Sequence, residues 1–247
     1  MKMRRPKQAG VTLIEVLIAI SLLSLLSVGI LLALRVGLSA LGKTNSRLIA
    51  NRRVASAQRI LEDQVAGFMG VVALCSPAPD LPRQPMPFFQ GEPQSMRFVS
   101  TYSLEEAWRG RPHILEFQVI PGEDNRGVRL IVNELLYTGP LGAGLLCLGR
   151  VPDPVVATGV PRFRPIEPMP RSFVIADKLA SCRFSYLEPV PPPVVERWTP
   201  QWLQSRWPLG VRIEMVPLED NPARLRPFTI NARVHVSRSP DIQYVDY

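Results

Sequence analysis

From Val16 to Leu34 the chain runs for nineteen residues without a charge, and Arg35 closes the run. As a helix it rises about 28 Å at ~1.5 Å per residue, close to the ~30 Å hydrocarbon thickness of a bilayer. The run predicts a membrane-spanning helix. Lys2, Arg4, Arg5 and Lys7 precede it with no acid among them, and positive charge resists translocation. The leader is therefore expected on the cytoplasmic side and Arg35 onward outside. A cleaved secretory signal fits less well: its apolar core is shorter, and the small-residue pair Ser39-Ala40 lies beyond Arg35. Past Arg35 the apolar positions become periodic, with Val54, Ala57, Leu61, Val65 and Phe68 stepping by three or four. Such spacing draws one apolar stripe along a helix, suited to packing on a sheet. With no proline between Pro6 and Pro77, one long helix from Thr12 to Phe68 is predicted. Gly37 and Gly42 are its weak points, each costing about 1 kcal/mol relative to alanine, and mark a bend or melted segment at the membrane exit.

From Pro77 onward the pattern changes to period two. All prolines except Pro6 lie in this part, and they exclude long interior helices. Strand-like runs are Gln94 to Ser100, His113 to Ile120, Arg126 to Asn133 continuing to Thr138, Phe173 to Tyr186, Val211 to Val216, and Phe228 to Val236. Leu115, Phe117 and Val119 share a face, as do Val211, Ile213 and Met215, and as do Phe228, Ile230, Ala232, Val234 and Val236. Strands that bury one side need a covering layer, and the helical stripe can supply it. The expected class is α+β, a long N-terminal helix packed on an antiparallel sheet. Ser76 to Pro93 reads as an irregular connector, and Pro152 to Arg171 and Pro189 to Pro193 as loops, the last a stiff polyproline stretch.

Composition adds little. The net charge of +8 falls to +4 once the four leader cations are lost, so no nucleic-acid partner is expected. Cys75, Cys147 and Cys182 allow one intrachain bridge, with three possible pairings.

Glu15 is the position that needs a reason. A carboxylate at the centre of a membrane helix costs roughly 2–3 kcal/mol, less near the interface, and is tolerated chiefly with a partner. Ser21, Ser24 and Ser27 recur every third residue, a small-residue stripe that permits close helix packing unless their hydroxyls bond back to the helix itself.

The stretch Gly10-Val11-Thr12-Leu13-Ile14-Glu15-Val16, behind a basic leader and ahead of an apolar helix, resembles the processing site of type IV prepilins and type II secretion pseudopilins. The resemblance implies that a membrane prepilin peptidase cuts between Gly10 and Val11 and methylates the new amine of Val11. It also implies that Glu15 pairs with that amine on a neighbouring subunit and sets filament register. Val11 stands where phenylalanine is usual in the family. On this reading 1–10 is a removable leader, 11–35 the transmembrane and filament-core helix, 36–70 an amphipathic spine, and 71–247 a proline-rich, β-rich periplasmic domain.

A second resemblance covers about 45 residues: Phe173 to Leu179, Cys182 to Tyr186, Trp198, Trp202, Trp207-Pro208, then Leu209 to Met215. It is similar to the minor pseudopilin J subunits of type II secretion. That similarity implies a place at the pseudopilus tip, assembly with I-like and K-like minor pseudopilins and the major pseudopilin, contact with the inner-membrane assembly platform, and support of export through the secretin. A minor pilin of the W type from type IV pili is the neighbouring alternative, with mild support from Leu61-Glu62-Asp63-Gln64 followed by Ala66 to Gly70.

An enzyme is not expected. His113 and His235 both fall in strand-like runs, and no GxSxG, HExxH or P-loop pattern occurs. Glu105-Glu106, Glu123-Asp124 and Glu219-Asp220 lack the spacing of a calcium loop, so no metal ligand and no cofactor is assigned. Trp198, Trp202 and Trp207, with Arg197 and Arg206, are either loop packing or a contact surface for another subunit, since buried tryptophan and arginine concentrate binding energy.

Overall fold

The computed structural model describes residues 12–76, 82–106, 109–151, 160–193, 195–218 and 227–235. It divides into two compact units, Met1–Ile49 and Ala50–Tyr247. One helix, α1 (Leu13–Ala66), supplies the first unit and the opening of the second; it is helical through both Gly37 and Gly42, so no melted segment forms there. Within it Leu13–Ser39, of mean hydropathy 2.7, is long and apolar enough to cross a membrane, and none of that window is buried.

In the second unit the helical stripe does what its spacing predicts. Ala57, Leu61 and Val65 are buried, and Leu61 and Val65 join the main core. The helix stops at Ala66, short of the expected Phe68, because the sheet arrives there. A Cβ on Gly67 would lie 2.6 Å from Ser100 Oγ, so only glycine permits the approach. The sheet also caps the helix end: Ser100 Oγ donates to Gln64 O at 3.0 Å and Thr101 N to Gly67 O at 2.8 Å.

The strands are β1 (Phe68–Met69), β2 (Val72–Cys75), β3 (Gln84–Pro87), β4 (Gln90–Gly91), β5 (Ser95–Tyr102), β6 (Arg109–Pro121), β7 (Val128–Leu136), β8 (Cys147–Val151), β9 (Val160–Phe163), β10 (Phe173–Pro189), β11 (Glu196–Thr199), β12 (Gly210–Pro217) and β13 (Phe228–Arg233); a short helix, α2 (Pro140–Gly144), precedes β8. The main sheet has the order β1-β5-β6-β7-β10-β12-β13, with β4 added beside β5 and β11 beside β10. All its pairings are antiparallel. This is the expected α+β arrangement.

The front face of the sheet carries the predicted alternation. Leu115 and Phe117, and Val211, Ile213 and Met215, pack with Leu61 and Val65, while Val119, Phe228 and Ala232 line the margin. The back face is covered too, which the sequence reading did not foresee. Val99 and Ile114 contribute to a second core with Ala73, Met86, Phe88, Ala143, Cys147 and Phe163, drawn from the β2–β3 hairpin, α2 and the β8–β9 hairpin. Two expected loops therefore contain strands: β3 and β4 fall inside the Ser76–Pro93 connector, and β9 inside Pro152–Arg171. Prolines 85 and 87 are tolerated because β3 pairs only with β2 and needs no donors on its outer edge.

Candidate functional site

Gly10 and Val11 lie outside the described residues. Glu15 sits in the first turn of α1, and its backbone N–H reaches Thr12 O at 3.1 Å and Thr12 Oγ1 at 3.4 Å. Thr12 to Glu15 has the T-x-x-E spacing of a capping box, a signal the sequence reading passed over. The carboxylate also faces the positive end of the helix dipole. Among the described residues no cation forms an ion pair with it, and every residue from Thr12 to Ser39 is exposed. Between Glu15 and Arg35 the helix carries no charge, so a single acid stands at the head of an apolar rod. Its serine hydroxyls are satisfied internally: Ser21 donates to Ile18 O at 2.8 Å, Ser24 to Ser21 O at 2.9 Å and Ser27 to Leu23 O at 2.8 Å. The serine stripe thus offers small volume to a neighbour, with its donors already spent.

The three tryptophans separate. Trp202 is buried, stands edge-on to Phe89 at 6.2 Å, donates Nε1–H to Arg206 O at 2.7 Å and bridges its backbone to Gly91. Trp207 is also in the core, its indole N–H without a partner. Both are packing residues, not surface. Trp198 alone is partly exposed, with the Arg212 guanidinium 4.1 Å above its ring. Arg197 forms an ion pair with buried Glu188.

The cysteines resolve into one bridge, Cys75–Cys147, with Cα atoms 5.5 Å apart, joining β2 to β8. Cys182 is free in the core, where burial pushes its thiol up to about 12. Among the described residues no group of three or more His, Cys, Asp or Glu is placed to hold a metal. His113 lies 3.6 Å from Glu134, whose carboxylate accepts from Ser103 Oγ at 2.5 Å and from the Leu104 backbone at 2.7 Å to fix the turn after β5.

A polar row crosses the back face beneath residues 164–172. Gln90, Arg97, Glu116 and Asn133 are successive cross-strand neighbours on β4, β5, β6 and β7. Arg97 and Asn133 are each 1% exposed and Glu116 3%. Arg97 donates to Glu116 Oε1 and to Gln90 Oε1, and Asn133 Nδ2 donates to Glu116 Oε2 at 3.1 Å. In the sequence these charges look like the solvated side of alternating strands. Only the unforeseen back layer buries them.

Residues 5–31 match the model of the prokaryotic N-terminal methylation motif. No curated protein matches the chain. Set at the head of an exposed apolar helix whose continuation packs on an antiparallel sheet, that motif indicates a chain of the type IV pilin- and pseudopilin-like superfamily.

Proposed function

We propose that the chain is a minor pseudopilin of the J type, a non-enzymatic subunit at the tip of a type II secretion pseudopilus that initiates assembly and supports export through the secretin. The observation that carries the reading is the methylation motif at the head of α1, with its lone Glu15. In this reading a prepilin peptidase cuts between Gly10 and Val11 and methylates Val11. In the assembled filament the Val11 ammonium of one subunit meets Glu15 of the next inside a low-dielectric bundle, where an unpaired carboxylate is penalised. That pairing reports axial register. The finer assignment is supported by the ordered run of β10, β11 with Trp198, the Trp202 and Trp207 loop, and β12, which follows the layout of the J-type resemblance. A disulfide in the sheet domain suits a periplasmic location, where thiols are oxidised.

Mass spectrometry of the mature protein from membranes is the first test, with an N-methylated Val11 as the expected terminus. A mature chain that begins elsewhere ends the processing model. Co-purification of the tagged full-length chain from its native cells then addresses the machine. I-like and K-like subunits are expected; recovery with type IV pilus components instead would assign it to the W-type role.

A further inference from the structure

We propose that Trp198 and Arg212 anchor a docking surface for an acidic segment of a partner protein, one carboxylate of which is received by the Arg212 guanidinium. The inference stands on the sheet domain alone and goes beyond the processing reading, which concerns the head of α1.

The second core covers the back face of the main sheet over β5, β6 and β7. Over β10, β12 and β13 the same face carries Arg183, Glu214, Thr229 and Asn231, all exposed, alternating with Phe184, Ile213 and Ile230 of the front core. Arg212 lies among them, beside Asn231 across β12 and β13. The indole of Trp198 reaches this ground from β11. Trp198 is the cross-strand neighbour of Leu187, and a Cβ on Gly210, the next neighbour, would lie 3.6 Å from Trp198 Cη2.

Two contacts fix the guanidinium. Its centre stacks 4.1 Å from the centroid of the Trp198 ring, and Arg212 Nε donates to Asn231 Oδ1 at 2.8 Å. Its plane and one edge are therefore held, while among the described residues nothing bonds its terminal nitrogens and no acid pairs with it. A planar fork held in one orientation loses less freedom on meeting a carboxylate than a mobile cation does.

The neighbouring charges decide what fits. Arg233 pairs with Glu196 at 2.9 Å and Arg197 with Glu188, so these two cations are already neutralised. Glu214 stands two residues along β12 on the same face. A phosphate polymer laid here would bring repeated negative charge against Glu196 and Glu214, whereas a single carboxylate meets a single uncompensated cation. Tryptophan and arginine are also the side chains that concentrate binding energy once a partner excludes water from them. Trp198 alone of the three tryptophans in this stretch is placed for that, since Trp202 and Trp207 lie in the core.

The test uses the full chain in uncharged detergent micelles at about 0.15 M salt, with hexaglutamate as the probe. Binding is read at the Trp198 indole N–H resonance, assigned by Trp198→Phe, which reports this face and not the cationic leader. A saturable shift is expected. Arg212→Gln should weaken the affinity about fivefold or more. Arg212→Lys keeps the charge but loses the fork and the planar stack, and should weaken it about threefold or more. Asn231→Ala releases the held edge and should weaken it about twofold or more. Arg183→Gln removes an exposed charge from the same face and should change it less than about twofold. No shift at Trp198, an R183Q loss equal to that of R212Q, or R212K or N231A chains that bind as tightly as the unmodified one overturn the proposal. A thymidine hexanucleotide that binds this face more tightly than hexaglutamate also overturns it, and makes the occupant a nucleic acid. If R212Q does not fold, R212K and N231A decide.

Discussion

Arg97 and Glu116 face each other across β5 and β6, Nε 2.8 Å from Oε1, and neither side chain has more than 4% of its surface in water. Desolvation pulls the guanidinium below its ordinary value, and the Glu116 charge and hydrogen bond pull the other way. In such a pair the loss of one partner is worse than the loss of both. Arg97→Met should cost about 3–5 kcal/mol, because it strands a buried carboxylate. The R97M/E116L double variant should recover most of that loss. Urea unfolding of the three chains measures it, and a double variant no better than R97M would show that the pair is not what stabilises the back face.

The same pair shows where the sequence was readable and where it was not. Leu115, Phe117, Val211, Ile213 and Met215 announced their face because hydrophobic alternation reports a one-sided core. Leu61 and Val65 announced the helix that covers it. Arg97 and Glu116 alternate with those apolar residues and look identical to solvated charges, since no local pattern distinguishes polar-out from polar-under-a-second-layer. That layer comes from β2–β3 and β8–β9, short strands in proline-rich stretches whose pairing is tertiary, and Phe68 likewise left the helix for β1 because the sheet edge met it there. Trp198, Trp202 and Trp207 could be grouped from sequence, but their burial could not. Glu15 was legible because a charge at the head of an apolar run needs no tertiary information to stand out.

The Cys75–Cys147 bridge closes a loop with a sequence separation of 72, tying the back layer to itself rather than to the sheet. Chain-entropy reasoning gives such a link about 4 kcal/mol. Replacing both cysteines by serine should therefore lower the unfolding free energy by roughly that amount. The loss should be local in the native state: amide exchange should accelerate in β2, β3, β8 and β9 while β5, β6 and β7 stay protected. Uniform acceleration across the main sheet would mean that the back layer is integral to the sheet and not a separable unit.

Alkaline pH should unfold the domain in two stages. Burial raises the Cys182 thiol from 9.0 to about 12. Burial first, and the Glu92 charge second, raise the Tyr186 hydroxyl well above 10.0, although it donates to Glu92 O at 2.9 Å. Both groups are neutral when protonated and hold their protons more tightly folded than unfolded. Their contribution is complete below the unfolded values and is lost as pH rises past them, by about 1.4 kcal/mol per pH unit for each group. Urea midpoints should decline from pH near 9 through Cys182 and more steeply from pH near 10 as Tyr186 joins. Cys182→Ala should delay the onset by about one pH unit. An unchanged onset in that variant would assign the first stage to another group.

Gln64 lies on the sheet-facing side of α1 with no exposed surface, and neither its amide nitrogen nor its amide oxygen has a hydrogen-bond partner. Its backbone carbonyl is satisfied by Ser100, so the deficit belongs to the side chain alone. A buried unpaired amide costs about 1–3 kcal/mol against an apolar group of the same shape. Methionine matches glutamine in length and fills irregular space, so Gln64→Met should stabilise the domain by about 1–2 kcal/mol. In a domain of this size that is a rise of roughly 2–8 °C in Tm. Leucine at the same place should gain less, because its branch must fit beside Leu61, about one turn back, and the adjoining Val65. Calorimetry of the three chains orders them, and a Q64M chain that melts below the parent would show that the amide is bound by water or a side chain in solution.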